Sequence, residues 1–481
     1  MAYLEVDRKI NTDNDLSIID DVQEKKDKIS IASDILIDSF FNQICLIENS
    51  ILEFINLVLI GHSKNIENEK YTFKDFNYFQ IGFCYLNLFG LSFSLGIIKS
   101  LNFHCNKYER YICLKKIIYL LIIFIILPIS FFFKITMKLL YKNDSNKNEI
   151  DTNINKIYND FIFYSPIYLL FYFFFHLNLK FYQKTENKPS ALGFVVLFNL
   201  LHFLISYILI YQCDLFIKGI TISLIISSLI CYICSNYLID DECFINQSTF
   251  NFYFIPDGSF IDEYFNKNIY KILLRGFYCI VDYFPIGIFL LFSFYLGQEQ
   301  LTINIIFLNI FLLSHNFCRG LSSTLKNYIQ YYSIKDKHSH YTKVTFIKTF
   351  GIVIFIISIV FSLLLFTIKE NIGNIYISEI DDNSLFENQF IILSKYFALI
   401  ILIEYITHSL EGYIKGININ NNIMLYKIIF PLIFIPIGFT LCFLFHFGIK
   451  GMWFGIFLMN IFYLLPHSIN MYKYYGIFLN Q

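Results

Sequence analysis

Hydrophobic positions along this chain come in long unbroken runs, separated by short polar links, rather than in period-two alternation. The runs fall at about 30–60, 77–104, 113–140, 158–182, 190–213 and 217–239, then 268–296, 302–330, 342–368, 387–415, 423–447 and 449–474. Each is near the ~20 residues that a helix needs to cross ~30 Å of hydrocarbon. Helices are the expected element, because a helix satisfies its own backbone hydrogen bonds in lipid. Twelve such runs predict an all-α polytopic membrane protein with twelve transmembrane helices. The shortest links, around Asp214 and Lys450, are the least defined boundaries.

The polar segments complete the organisation. Residues 1–28 alternate acids, Lys and Asn and predict a disordered cytoplasmic head. They lack the basic start, apolar run and small-residue cleavage site of a signal peptide. The longest interior link, 240–267, carries Asp240, Asp241, Glu242, Asp257, Asp262 and Glu263. It is expected to be a cytoplasmic linker between a bundle at 29–239 and a second at 268–481. Basic residues set the orientation: Lys107, Arg110, Lys115 and Lys116, then Lys180, Lys184 and Lys188, then Lys335, Lys337 and Lys343 lie on one side. The link at Gln298–Gln300 has no Lys or Arg, and the link at Glu379, Asp381 and Asp382 is acidic. The positive-inside bias then places both termini in the cytoplasm.

Composition agrees with the pattern. Of 481 residues only 16% are charged and 56% are hydrophobic, with a mean hydropathy of +0.54. A soluble fold could not bury that much apolar surface, so a soluble enzyme is excluded. Thirty-seven basic against 38 acidic residues give a net charge of -1, which argues against a nucleic-acid partner. Most of the eleven Cys sit inside apolar runs, among them Cys45, Cys84, Cys231, Cys234, Cys279, Cys318 and Cys442. Cys231 and Cys234 lack the further ligands of a zinc site, so they read as packing residues, and no metal or cofactor is expected. The 57 Phe and 36 Tyr accompany an excess of Asn, Ile and Lys and a near-absence of Ala. That skew is compositional and weakens aromatic richness as a functional cue.

Six runs on each side of the acidic link suggest a duplication. Ile217-Lys218-Gly219 opens the sixth run as Ile449-Lys450-Gly451 opens the twelfth. Leu179-Lys180-Phe181-Tyr182 ends the fourth run, and Leu410-Glu411-Gly412-Tyr413 ends the tenth. Gly96 and Gly320 hold comparable places in the second and eighth. The offsets are nearly constant, which predicts two pseudo-symmetric six-helix bundles.

Several segments then resemble one family. The first run closes Val58-Leu59-Ile60-Gly61-His62, and the second contains Asn87-Leu88-Phe89-Gly90-Leu91-Ser92-Phe93. The fifth contains Leu201-His202 followed by Ile205-Ser206-Tyr207. Gly412-Tyr413-Ile414-Lys415-Gly416, Pro436-Ile437-Gly438 and Gly448-Ile449-Lys450-Gly451-Met452-Trp453-Phe454-Gly455 follow in order. Together they resemble the multidrug and toxic compound extrusion (MATE) family, in its eukaryotic form. The resemblance implies two six-helix lobes around a cleft that opens alternately to each side of the membrane. It implies export of organic cations or other amphipathic solutes, by antiport with protons or sodium, through a monomer in a plasma or organelle membrane. No P-loop is present, in keeping with transport that does not use a nucleotide.

An ionisable side chain at a helix centre costs ~2.5–3.5 kcal/mol on insertion scales, so it usually faces a cavity or a partner. Asp282, followed by Tyr283 and Phe284, matches a family Glu followed by two aromatic residues. It is a candidate proton and cation site, with Tyr283 as a cleft wall; the competing reading is an ion pair with Arg319. Glu404 stands eight residues before Gly412, as does a functional Glu in eukaryotic members. His408 and Glu411 follow at four and seven residues, so the three share one helical face. The competing readings are a buried, hydrogen-bonded Glu404 and a packing role for His408. In the resemblance, a bacterial Asp position falls on Asn56, which cannot titrate, and two polar positions of the fifth run fall on His202 and Ser206. Glu48 and Glu53 remain in the first run, and Lys99 enters the second. A pair of Lys99 with either Glu, or a snorkelling Lys99, is expected. A second family Glu is replaced by Gly287, and closing polar residues by Lys107 and Tyr331. In the implied cycle a buried acid releases its proton, attracts a cation, and lets it go on reprotonation. Rival readings are a lipid-linked oligosaccharide flippase, which would need several basic groups in the cleft, a membrane acyltransferase using His315-Asn316, and a non-transporting scaffold.

Overall fold

The computed structural model describes residues 37, 47–63, 73–86, 92–98, 118, 126–140, 152, 154–184, 188–243, 259–334, 340–368, 371–377, 384–417 and 423–480. The expected head at 1–28 and Lys99 and Lys107 lie outside them. Regular structure among the described residues is entirely helical. In order the helices are α1 (47–62), α2 (Phe73–Leu86), α3 (Ser92–Ile98), α4 (Leu127–Leu140), α5 (Ser165–Lys184), α6 (Lys188–Tyr211) and α7 (Phe216–Cys243). There follow α8 (Ser259–Ser293), α9 (Gln298–Ile334), α10 (His340–Thr367), the short α11 (Ile372–Tyr376), α12 (Ser384–Gly416), α13 (Ile423–Phe439) and α14 (Ile449–Asn480).

Seven of these are long and apolar enough to span a bilayer, and a bent pair supplies an eighth. The first three predicted spans pass through residues outside the described set. The chain is an integral, multi-pass, all-α membrane protein. The expected polar link at 240–267 is helical at both ends, since α7 runs to Cys243 and α8 begins at Ser259.

One expected span is broken. The run at 158–182 predicts one straight helix, whereas Ile154–Ile162 and Ser165–Tyr182 meet at 42°. Tyr158–Ile162 forms a π-turn, and Pro166 stands at the second position of α5. Proline has no N–H to give to a preceding turn but suits the first turn of a new helix. The bend therefore falls where the backbone ladder is interrupted.

Packing divides the helices into two groups. α5, α6 and α7 pack on one another, and α9, α10, α12, α13 and α14 form a second set, while α2 and α3 lie against α8 and α9. The connection α6–α7 and the connection α13–α14 share an unusual backbone. Asp214 and Phe216 have φ of 54° and 47°, and His446 and Gly448 both have 58°. Each residue of the second pair lies 232 positions after its counterpart, the same interval that separates Ile217 from Ile449. Left-handed backbone is costly for a bulky residue. Its recurrence at matched positions is an internal repeat written in conformation.

The family-like glycines mark close helix crossings. A Cβ on Gly412 would lie 2.5 Å from the Ser322 carbonyl oxygen, so α12 touches the α9 backbone there. Gly438 and Gly455 face each other where α13 crosses α14, and a Cβ on Gly455 would stand 2.8 Å from the Gly438 Cα. Between these crossings Trp453 is buried among Phe289, Phe307, Phe311 and Phe397. Its Nε1–H donates to Asn304 Oδ1 at 3.1 Å. The outward faces are greasy instead of polar: Phe131 on α4 is 72% exposed, and Ile352, Phe355, Ile356, Val360 and Leu363 line one side of α10. In water such a belt would be an aggregation surface; in lipid it is the solvated face.

Candidate functional site

In the C-terminal set, α9 and α12 bring a carboxylate and two imidazoles together. Glu404, mid-way along α12, is buried. Its Oε1 lies 2.5 Å from His315 Nδ1 on α9 and 3.7 Å from His408 Nε2, one turn further along α12. The two imidazole rings meet edge to face with centroids 4.8 Å apart. Glu404 Oε2 is buried and has no hydrogen-bond partner.

His408 reaches the other way as well. Its Nδ1 lies 3.3 Å from Glu411 Oε2. Glu411 in turn is held by Lys427 of α13 at 2.9 Å and by Lys415 one turn along α12. A buried carboxylate with two ammonium partners is a fixed anchor. The chain Lys415/Lys427–Glu411–His408–Glu404–His315 is thus a continuous polar wire through an apolar bundle. The shared face expected for Glu404, His408 and Glu411 is present. His315 is the partner that the sequence did not assign to it.

The N-terminal set carries three smaller constellations. Glu48 of α1 accepts a hydrogen bond from the Tyr172 hydroxyl at 2.9 Å, and its Oε2 lies 2.9 Å from His176 Nε2. Glu53, one helical turn and a half further, accepts from the Gln80 side-chain amide of α2. The expected pair of Lys99 with Glu48 or Glu53 lies outside the described residues. Asn56 meets His202 of α6: the ring Nε2–H donates to Asn56 Oδ1 at 2.7 Å, while the Ser223 hydroxyl of α7 lies 3.0 Å from Nδ1. Accepting at Asn56 fixes the imidazole tautomer. So the resemblance-derived positions Asn56, His202 and Ser206 do converge, with Ser206 3.5 Å from the same ring.

α8 runs unbroken through Asp282 and Tyr283, whose side chains lie outside the described residues. Arg319 is half-buried on α9, one turn beyond His315. Gly287 of α8 is buried, and its carbonyl lies 4.0 Å from Cys84 Sγ of α2.

The two sets are joined by polar contacts. Asn77 of α2 donates to the Gln298 carbonyl at 3.1 Å and to Gln298 Oε1 at 2.8 Å, and it accepts from Thr302 at 3.0 Å. Asn316, next to His315, donates to the Ser50 hydroxyl of α1 at 2.7 Å. Gly61 at the end of α1 lies against the carbonyl of Tyr376 in α11. Aromatic contacts cross as well: Tyr78 meets Phe294 and Phe93 meets Phe277 edge to face.

This architecture is that of the MATE transporters. The eukaryotic MATE transporter AtDTX14 superposes with a TM-score of 0.70 over 92% of this chain and 95% of its own, at 12% identity. A multidrug resistance MATE transporter of the MOP superfamily, in an outward-facing conformation, gives 0.63 over 94% and 97%, also at 12% identity. A MOP superfamily transporter from Pyrococcus furiosus, for which reversed polarity of the binding pocket suggests a different function, gives 0.61 over 94% and 97% at 12% identity. No family model and no curated protein matches the sequence. The likeness is one of fold.

Proposed function

We propose that the chain is a secondary active transporter that exports organic cations or other amphipathic solutes in exchange for protons or sodium. Alternating access between the two helix sets would carry the cargo, with both termini in the cytoplasm. The observation that carries this reading is Glu404: a buried carboxylate with a free oxygen, inside a MATE-type fold, beside polar contacts that bridge the sets. An anion kept in an apolar bundle must be compensated, and a counter-ion and a cationic cargo can compensate it in turn. Asp282 is the second carboxylate assigned to this exchange.

The flippase reading would need unpaired basic groups facing a pyrophosphate. Of the intramembrane basic residues that could serve it, Lys99 lies outside the described residues and Arg319 is half-buried on α9, while Lys415 and Lys427 are both engaged by Glu411.

The test is reconstitution of the full chain in liposomes with an imposed pH or sodium gradient and a panel of cationic and anionic dyes. Gradient-driven uptake of cationic dye is expected, with Glu404→Gln and Asp282→Asn each lowering it by at least ~10-fold. Transport at the parent rate by Glu404→Gln would remove Glu404 from the mechanism.

A further inference from the structure

The geometry points to a transition-metal site at His315, Glu404 and His408. These three side chains present two imidazole nitrogens and a carboxylate oxygen, all within 4.8 Å of one another. The donor set is informative. Imidazole and carboxylate together suit zinc and its first-row neighbours, whereas magnesium, calcium and sodium prefer all-oxygen cages. The site has no thiol: Cys318, on α9 three residues after His315, is not a member of the cluster.

Three further features fit a bound ion. First, Glu404 Oε2 is buried without a partner, so one ligand atom is free in the protein as it stands. Second, His408 offers its Nε2 to the cluster while its Nδ1 faces Glu411. A metal-binding imidazole almost always donates its other N–H to a carboxylate or carbonyl, which fixes tautomer and ring orientation. Glu411 is such a carboxylate, itself anchored by Lys415 and Lys427. Third, the helices that supply the ligands are clamped together at Gly412, so the ligand atoms are held on rigid elements.

Ligand atoms around a tetrahedral zinc stand about 3.3 Å apart, as bonds of about 2.0–2.1 Å require. The His315–Glu404 contact of 2.5 Å therefore opens when an ion enters. Rotation of the carboxylate about its last torsion, which is soft, turns Oε2 toward the ion. Three protein ligands leave a fourth position for water or another ligand.

Metal binding at this cluster is independent of transport, and its test uses no gradient. The purified full chain in detergent, stripped with a chelator, is titrated with Co²⁺ and then with Zn²⁺. Expected are the intense visible bands of four- or five-coordinate cobalt, saturation at a single ion per chain, no sulfur-to-cobalt charge-transfer band, and displacement by Zn²⁺ but not by Mg²⁺. Losing an outer-shell partner typically costs 10–100-fold in metal affinity. His315→Gln and His408→Gln, which remove ligands, should each weaken Zn²⁺ by at least ~100-fold, and His62→Gln, a histidine whose Nδ1 meets the Val58 carbonyl of α1, should leave it unchanged. Thermal unfolding reports folding of each variant, and stabilisation of the parent by Zn²⁺ should vanish in either His variant. Weak, pale six-coordinate cobalt in the parent, a thiolate charge-transfer band, or equal affinity in parent and His variants would overturn the site. Should one His variant fail to fold, the parent spectrum and the other variant still decide the question.

Discussion

At the scale of single residues, several buried polar side chains are matched to a specific partner. Asn304 and Trp453 illustrate the rule: an indole N–H in the middle of four phenyl rings is tolerated because Asn304 accepts it. Trp453→Phe keeps the ring stack but strands the Asn304 carbonyl oxygen, whose side-chain nitrogen already lacks a partner. The cost of a buried unsatisfied polar group is ~1–3 kcal/mol. Thermal unfolding in detergent should fall accordingly, while Trp453→Phe combined with Asn304→Leu should recover part of the loss. No recovery in the double variant would mean that the indole acts through shape alone. The polar stripe Glu404–His408–Glu411 was legible from spacing, because three and four residues along a helix always share a face. His315 was not: it lies 89 residues from Glu404 in sequence, and only the crossing of α9 and α12 brings it there. Its one cue was an ionisable group inside an apolar run, which the sequence shared with Arg319.

Among elements, the decisive features are the places where helices come closest. Gly412 admits the Ser322 carbonyl, whereas Gly193 on α6 has nothing within 4 Å of where a Cβ would be. The two glycines therefore predict opposite outcomes for the same change. Gly193→Ala should raise stability by up to ~1 kcal/mol through helix propensity. Gly412→Ala should lower it by ~1–3 kcal/mol, because α9 and α12 must part. Parting them also separates His315 from Glu404, so metal binding should weaken along with the unfolding temperature. Equal effects at both positions would show that the crossing is not tight. The glycine blocks stood out in the sequence as motifs, but which helices they join could not be deduced from them. The break before α5 was hidden for a related reason: Pro166 is compatible with a kinked helix and with a fresh start, and only the neighbouring π-turn selects between them.

For the whole molecule, hydropathy and charge were enough to specify an all-α membrane bundle, and the repeat was detectable in three short matches. The strongest trace of the repeat, paired left-handed residues 232 positions apart, is conformational and invisible in the letters Asp214 and His446 or Phe216 and Gly448. The contact of Asn77 with Gln298 and Thr302 spans the two sets. If the sets rock against each other during transport, this contact must break in every cycle. A short bis-thiosulfonate linking Asn77→Cys to Thr302→Cys, in a background cleared of other reactive cysteines, should stop transport in the liposome assay. Reduction of the link should restore it. Undiminished flux through the cross-linked protein would exclude rocking about this seam.

The lone tryptophan of the chain meets Phe311 edge to face, and Phe311 in turn stacks on His315. The protein therefore carries its own optical gauge, one aromatic ring removed from the Glu404 cluster. Intrinsic emission, quenched by cobalt or shifted by a change in ring stacking, can follow occupancy of that cluster in an unlabelled sample, with no second indole to blur the signal.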